Sequence, residues 1–115
     1  MIGIDIIKIS RIEKFIEKNQ KKALDKFLSP KEIKLSKSSI STIAGFWCAK
    51  EAASKALGTG IGSICGFKDI KLNKTKRGQP TIKYKKHIRK KFNIKHSNIS
   101  ISHDSGFVIA VVANA

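Results

Sequence analysis

The chain has 115 residues, 41% of them hydrophobic and 28% charged, which suits one folded domain with a modest core and leaves no material for a second. Lys and Arg number 24 against 8 Asp and Glu, a net charge of +16, so an anionic partner is expected: nucleic acid, an acidic protein or a phosphorylated small molecule. No apolar run reaches the ~20 residues of a membrane helix, and Met1-Ile2-Gly3-Ile4-Asp5 has neither the basic nor the apolar region of a signal peptide, so a cytoplasmic protein with no membrane attachment is expected. Cys48 and Cys65 lack the paired spacing of a zinc or redox motif and read as reduced, partly buried thiols.

Ile2, Ile4 and Ile6 alternate with Gly3 and Asp5, which predicts a short strand whose second face carries the aspartate. Ser10 with Glu13 forms a capping box for a first helix, whose apolar stripe is Ile12, Phe15 and Ile16. A second box, Ser29-Pro30-Lys31-Glu32, follows Leu24, Phe27 and Leu28 and has proline where its missing N–H costs nothing. Lys37 to Ser41 reads as a loop. The strongest helix runs from Thr42 to Leu57, with Ser41 as N-cap and Gly58 as its stop. Thr59 to Ser63 is a glycine-rich turn, and Phe67, Ile70 and Leu72 lead into a strand. Arg77-Gly78-Gln79-Pro80 turns into a strand at Thr81 to Tyr84, and Lys85 to Phe92 is a short basic helix. A hairpin ends the chain: Ile99 to His103, a turn through Asp104-Ser105-Gly106, then Phe107 to Ala113. This order predicts an α+β fold, helices packed on an antiparallel sheet, as a single domain over residues 1–115.

The long helix is apolar except for Lys50, Glu51, Ser54 and Lys55, which its period gathers on one stripe. Asp5 interrupts an apolar strand. If strand and helix pack together, the carboxylates of Asp5 and Glu51 converge on a site suited to Mg²⁺, which takes one or two carboxylates plus waters and substrate phosphates, with Lys50 and Lys55 flanking it. The alternative at this point is an ordinary Glu51–Lys55 ion pair along the helix, with Asp5 merely ending a strand. His103 shares the face of Ile99 and Ile101 and is expected to point into packing or an interface; its other possible role is to orient a phosphate or a reacting hydroxyl. Gly58-Thr59-Gly60-Ile61-Gly62 offers backbone N–H groups to a phosphate, or is only a helix stop.

Three segments go further together than any does alone. Gly3 to Ile12, Phe46 to Gly60 with its Lys50-Glu51-Ala52 and Lys55-Ala56, and Ile99 to Asp104 resemble, in order, the three signatures of the 4′-phosphopantetheinyl transferases, in the branch of the holo-acyl-carrier-protein synthases. Gly78-Gln79-Pro80 is similar to that family's Gly-Lys-Pro turn. The resemblance implies transfer of the 4′-phosphopantetheine arm of coenzyme A to a serine of an apo acyl carrier protein, with release of 3′,5′-ADP, in fatty acid biosynthesis. It implies Mg²⁺ on Asp5 and Glu51, and coenzyme A held by Lys50, Ser54, Lys55, Gly58, Gly60, Pro80 and His103. Catalysis falls to Asp5, Glu51 and Lys55. Arg11 resembles a basic residue of the surface that docks the acidic carrier protein, and Lys14 or Lys18 on the same helix is expected to help steer that partner. A homotrimer with coenzyme A in clefts between subunits is implied as well. Two positions depart from the pattern: Phe46 stands where many members have Arg, so other lysines are expected to supply that charge, and Gln79 replaces the lysine of the turn. A nucleic-acid-binding module is the rival that charge alone favours, but the chain has one Trp, one Tyr and no RNP, helix-turn-helix or zinc pattern. A second rival is a trimeric scaffold without activity, against which the presence of Asp5, Glu51 and Lys55 argues.

Overall fold

The isoleucine alternation at the N-terminus does produce a strand, β1 (Ile2–Lys8), in the computed structural model, which describes residues 1–19 and 21–115. The face that packs inward is the one that carries the aspartate. Gly3 and Ile7 are buried and Asp5 is half-buried beside the long helix, whereas Ile2, Ile4 and Ile6 are 72%, 60% and 56% exposed. Helix α1 (Ile9–Asn19) follows without a loop, so the predicted capping box at Ser10 and Glu13 does not form; Ser10 lies inside the first turn. The junction is tied instead by the Ile9 N–H, which donates to the Gly106 carbonyl at 2.8 Å.

Helix α2 (Lys21–Phe27) was not foreseen as an element; only its apolar residues were. Helix α3 (Pro30–Ser36) starts at the predicted box, with Glu32 N–H donating to Ser29 Oγ at 3.2 Å and Ser29 N–H to Glu32 Oε1 at 2.8 Å. Helix α4 (Ile40–Leu57) begins two residues before the predicted Thr42, because its cap is Ser39 and not Ser41: the Ser39 hydroxyl accepts from the Thr42 N–H. The predicted loop thereby shrinks to Lys37 and Ser38, both at positive φ, before the cap. Gly58 ends α4 as expected, at φ 80.

A 3₁₀ turn (Phe67–Asp69) leads into β2 (Ile70–Lys74), which pairs with β3 (Pro80–Tyr84); α5 (Lys86–Phe92) precedes the hairpin of β4 (Ser97–Asp104) and β5 (Phe107–Asn114). The main sheet is antiparallel in the order β1-β5-β4, with Asp5 opposite Ala110 and Ile7 opposite Val108, and β2-β3 is a separate two-stranded sheet. The architecture is α+β, as predicted. Helix α4 lies across the sheet through Ala49, Ala52, Ala53 and Ala56, whose small side chains let helix and strands approach closely over Val108, Ala110 and Val112. Phe15, Phe27, Trp47 and Phe67 close the other end; the Phe27 and Trp47 rings meet edge to face at 4.9 Å. Tyr84, fully buried, donates to the Ala53 carbonyl at 2.8 Å and accepts from Asn114 at 2.9 Å, which keys β3 and β5 to α4. Among the described residues no helix is long and apolar enough to cross a membrane.

Candidate active site

Gly3 sets the spacing between β1 and α4. A Cβ there would lie 2.1 Å from the Ala52 carbonyl oxygen and 2.4 Å from the Ala56 nitrogen, so only glycine permits this backbone-to-backbone approach. Asp5, two residues on and therefore on the same face, is carried up to the flank of α4. Its Oδ1 accepts from Lys55 Nζ at 2.7 Å, with side chains 14% and 51% exposed respectively. Among the described residues no ion pair joins Glu51 to Lys55, so the simple helix-pair alternative does not describe this stripe.

Glu51 senses Asp5. Burial first, and then the charge of Asp5, push the Glu51 carboxyl above its usual range, while Lys55 opposes the shift. The Lys55 ammonium is held above its usual value chiefly by the hydrogen bond it donates to Asp5. Cys48 lies beneath, its thiol donating to the Asp5 carbonyl at 3.1 Å; burial and the Asp5 charge raise it to about 12, so it stays neutral and inert. A carboxyl held above its usual range by burial and by a neighbouring carboxylate forms with that neighbour a donor pair that a hard divalent cation relieves. No group of three or more His, Cys, Asp or Glu suited to a metal exists among the described residues. The pair therefore fits Mg²⁺, which needs few carboxylates when substrate phosphates and water complete its shell, and fits a metal requiring an all-protein cage poorly.

Lys50 and Ser54 do not join this site. Lys50 is 0% exposed and its ammonium is consumed by Glu32 Oε1 at 2.8 Å, the Phe27 carbonyl at 2.8 Å and the Phe67 carbonyl at 3.1 Å, which leaves no N–H for a phosphate. Burial lowers its proton affinity, and Glu32 works against that. Ser54, also 0% exposed, donates to the Glu51 carbonyl at 2.7 Å. The reason is angular: one step along a helix turns a side chain by about 100°, so Lys50 and Glu51 face different neighbours despite sharing a polar stripe. The amides of Gly58, Thr59 and Gly60 are likewise spent on closing the helix, onto the carbonyls of Lys55 and Ser54. What Gly58 and Gly60 contribute is open space, with nothing within 4 Å of an added Cβ at either.

His103 and Pro80 line a second concavity of about 200 Å³ together with Thr42, Phe46, Lys74 and Ile101, and none of Asp5, Glu51 or Lys55 is on its wall. His103 is exposed in the single chain, which goes against packing within the chain but not against an interface; it lies on β4, the edge strand of its sheet. Lys74 was missed by sequence reasoning. Its ammonium sits 5.8 Å from the centre of the Phe46 ring, so a cation stands beside the position where Arg was expected; the departure at Phe46 was the available signal. Arg11, Lys14 and Lys18 are all exposed on α1, at spacings of three and four. A larger concavity, about 810 Å³ between α3 and the β2-β3 hairpin, contains none of the site residues expected from the sequence.

This arrangement has close counterparts. The chain is 60% identical to the holo-acyl-carrier-protein synthase of Aliarcobacter butzleri over 99% of its length and 96% of the relative's. The crystal structure of Helicobacter pylori holo-acyl-carrier-protein synthase in complex with coenzyme A superposes with TM-score 0.97 and 50% identity, each chain covered over 100%. A Bacillus anthracis holo-acyl-carrier-protein synthase, in complex with CoA (3′,5′-ADP), gives 0.82 and 35%, over 98% of this chain and 93% of the other. The model of the 4′-phosphopantetheinyl transferase superfamily matches residues 1–112, which takes in β1, α4 and the whole of the site they build. A carboxylate pair held by a glycine-tight strand and helix, in a chain matched over nearly its entire length, places this protein in the 4′-phosphopantetheinyl transferase superfamily.

Proposed function

We propose that this chain acts as a holo-acyl-carrier-protein synthase in the cytoplasm, moving 4′-phosphopantetheine from coenzyme A to a serine of apo acyl carrier protein and releasing 3′,5′-ADP. The observation that carries the reading is the Asp5–Lys55 pair beside Glu51, set on two elements that a glycine contact locks together. Asp5 and Glu51 would hold Mg²⁺, which when bound neutralises pyrophosphate charge and makes the phosphorus more electrophilic. Lys55, half-exposed and firmly protonated, offers its remaining N–H groups to phosphate oxygens and offsets charge on the departing 3′,5′-ADP. The serine hydroxyl attacks the β-phosphorus as its bond to 3′,5′-ADP breaks, and Glu51 is the carboxylate suited to accept the hydroxyl proton, directly or through a water. Little covalent chemistry is asked of the protein, since phosphoryl transfer depends on alignment and charge neutralisation. Incubating purified protein, apo carrier protein, coenzyme A and Mg²⁺ and weighing the carrier by mass spectrometry tests the reading. A gain of one phosphopantetheine per carrier is expected; an unchanged mass refutes it.

The reading includes a homotrimer with a shared site. Its support is an apolar sheet face left open to solvent, Ile2, Ile4 and Ile6 on β1 beside Phe107 and Ile109 on β5, and the separation of His103 and Pro80 from the carboxylates within one chain. Light scattering is expected to return three chains, and Ile4→Lys is expected to break the assembly and the activity together. A monomer with full turnover would sink the shared site.

Carrier docking is assigned to Arg11, Lys14 and Lys18. Arg11→Glu is expected to raise the carrier KM strongly, through slower association, with little change in coenzyme A affinity measured alone. The Mg²⁺ dependence of the same variant shows whether the charge reversal has reached Asp5. An unchanged carrier KM would move the docking surface elsewhere.

A further inference from the structure

We infer that the buried Lys50–Glu32 pair is a positioning device for the carboxylate site: it sets the rotation of α4 about its axis and so holds Glu51 toward Asp5. The inference rests on the reading that Asp5 and Glu51 hold the metal.

The pair is more than one contact. Lys50 spends its three N–H groups on Glu32, on the last residue of α2 and on the first residue of the 3₁₀ turn. Glu32 Oε1 also accepts from the Ser29 N–H at 2.8 Å, and Oε2 accepts from the Leu72 N–H at 2.8 Å. Five elements therefore meet at two fully buried charges: the end of α2, the cap of α3, α4, the 3₁₀ turn and β2.

Its location on the helix gives this junction leverage. At about 100° per residue, Lys50 lies roughly 160° around α4 from Ala52, the residue against which Gly3 presses. Helix α4 is thus gripped by β1 on one side and by the ion pair on nearly the opposite side, and Glu51 projects from the flank between them. On the β1 side α4 is held by close packing at Ala52 and Ala56 and by the bond from Tyr84 to the Ala53 carbonyl. The bonds at Lys50 add a directional restraint on the opposite side, so that the two together fix the rotation of the helix. A rotation of about 20° would carry a side-chain end about 5 Å from the axis through roughly 2 Å. A misplacement of about 1 Å at a reacting centre already costs on the order of a hundredfold in rate. Stability alone gives a weak reason to keep such a pair, because buried ion pairs are often replaceable by apolar residues of equal volume without loss.

Two variants test the inference. Glu32→Gln keeps shape and acceptor oxygen while removing the charge, and Lys50→Met/Glu32→Gln removes both charges at nearly constant volume. Each is measured by thermal melting, by calorimetric titration of Mg²⁺ into the protein with coenzyme A present, and by kcat and KM for both substrates. Both are expected to keep a cooperative melt while Mg²⁺ affinity and kcat fall by about tenfold, the usual effect of disturbing the support of a metal ligand, with the KM for the carrier protein little changed. Wild-type Mg²⁺ affinity and kcat in a folded variant, whatever its melting temperature, would reduce the pair to a structural role and overturn the inference. Should either variant fail to fold, the other decides alone. Absence of transfer by the wild-type protein would instead refute the proposed function, an outcome read from the control and separate from this one.

Discussion

Asp5→Ala and Glu51→Ala are each expected to lower turnover by about a hundredfold or more while the fold survives. The fold survives because the side chains stand at the rim of the core and not within it. Asp5 has one ion-pair partner, the half-exposed Lys55, and water replaces that partner at a cost below about 1 kcal/mol. Turnover falls because each change removes half of the donor set. The check is kcat as a function of Mg²⁺ concentration: the variants should need more Mg²⁺ and still not reach wild-type rate, and full activity at low Mg²⁺ would remove that residue from the metal site. Glu51 adds a test of sign. Its carboxyl lies above the usual range in the folded chain, so the ionised form costs the metal-free fold stability at neutral pH, and the cost disappears as pH falls below the value of the unfolded chain. Glu51→Gln is therefore expected to melt at the same or a higher temperature than wild type at pH 7 without Mg²⁺, with the difference closing toward acid pH. A clearly lower melting temperature for Glu51→Gln at neutral pH would contradict the burial and repulsion assigned to this carboxylate.

Gly3→Ala is expected to be the most damaging alanine substitution at any glycine of this chain. The atoms the new Cβ would meet are backbone atoms of a buried helix, the Ala52 carbonyl oxygen and the Ala56 nitrogen, and neither can swing aside as a long side chain would. Strand β1 has to lift from α4, at a cost of about 3 kcal/mol or more on the scale of overpacked cores. Because β1 also carries Asp5, the same displacement pulls the carboxylates apart, so kcat should drop well beyond what the loss of folded protein explains. Thermal melting and turnover per folded molecule separate the two effects. An unchanged melting temperature would show that the strand and helix are not locked at this point. Alanine at Gly62, where nothing lies within 4 Å, is the matched control and is expected to leave stability nearly unaltered.

Much of the chemistry was legible before any coordinates. Asp5 on an apolar strand and Glu51 with Lys55 on an apolar helix stood out because charges on otherwise buried faces are costly, and the three motifs of the resemblance lay in one order along the chain. Local rules read the cap at Ser29 and Glu32 and the stop at Gly58 correctly, since both depend on bonds between residues close in sequence. The same rules failed at Ser10, where the bond that closes the junction comes from Gly106, nearly a hundred residues away along the chain. Periodicity identified which residues share a stripe or a face; it carried no information on what that face meets. Lys50 and Lys55 looked equivalent in the sequence, and only packing decided that one is buried against Glu32 while the other reaches Asp5. The isoleucines of β1 were readable as one face, and only the contact of Gly3 with α4 decided that this face is the open one. His103 followed the strand period as expected, but its exposure depends on the place of β4 at the edge of the sheet. The sequence thus determined the chemical inventory and the local turns, through interactions spanning a few residues, while the assignment of each polar group to core, site or surface came from close approaches between segments distant in the chain, which no local pattern encodes.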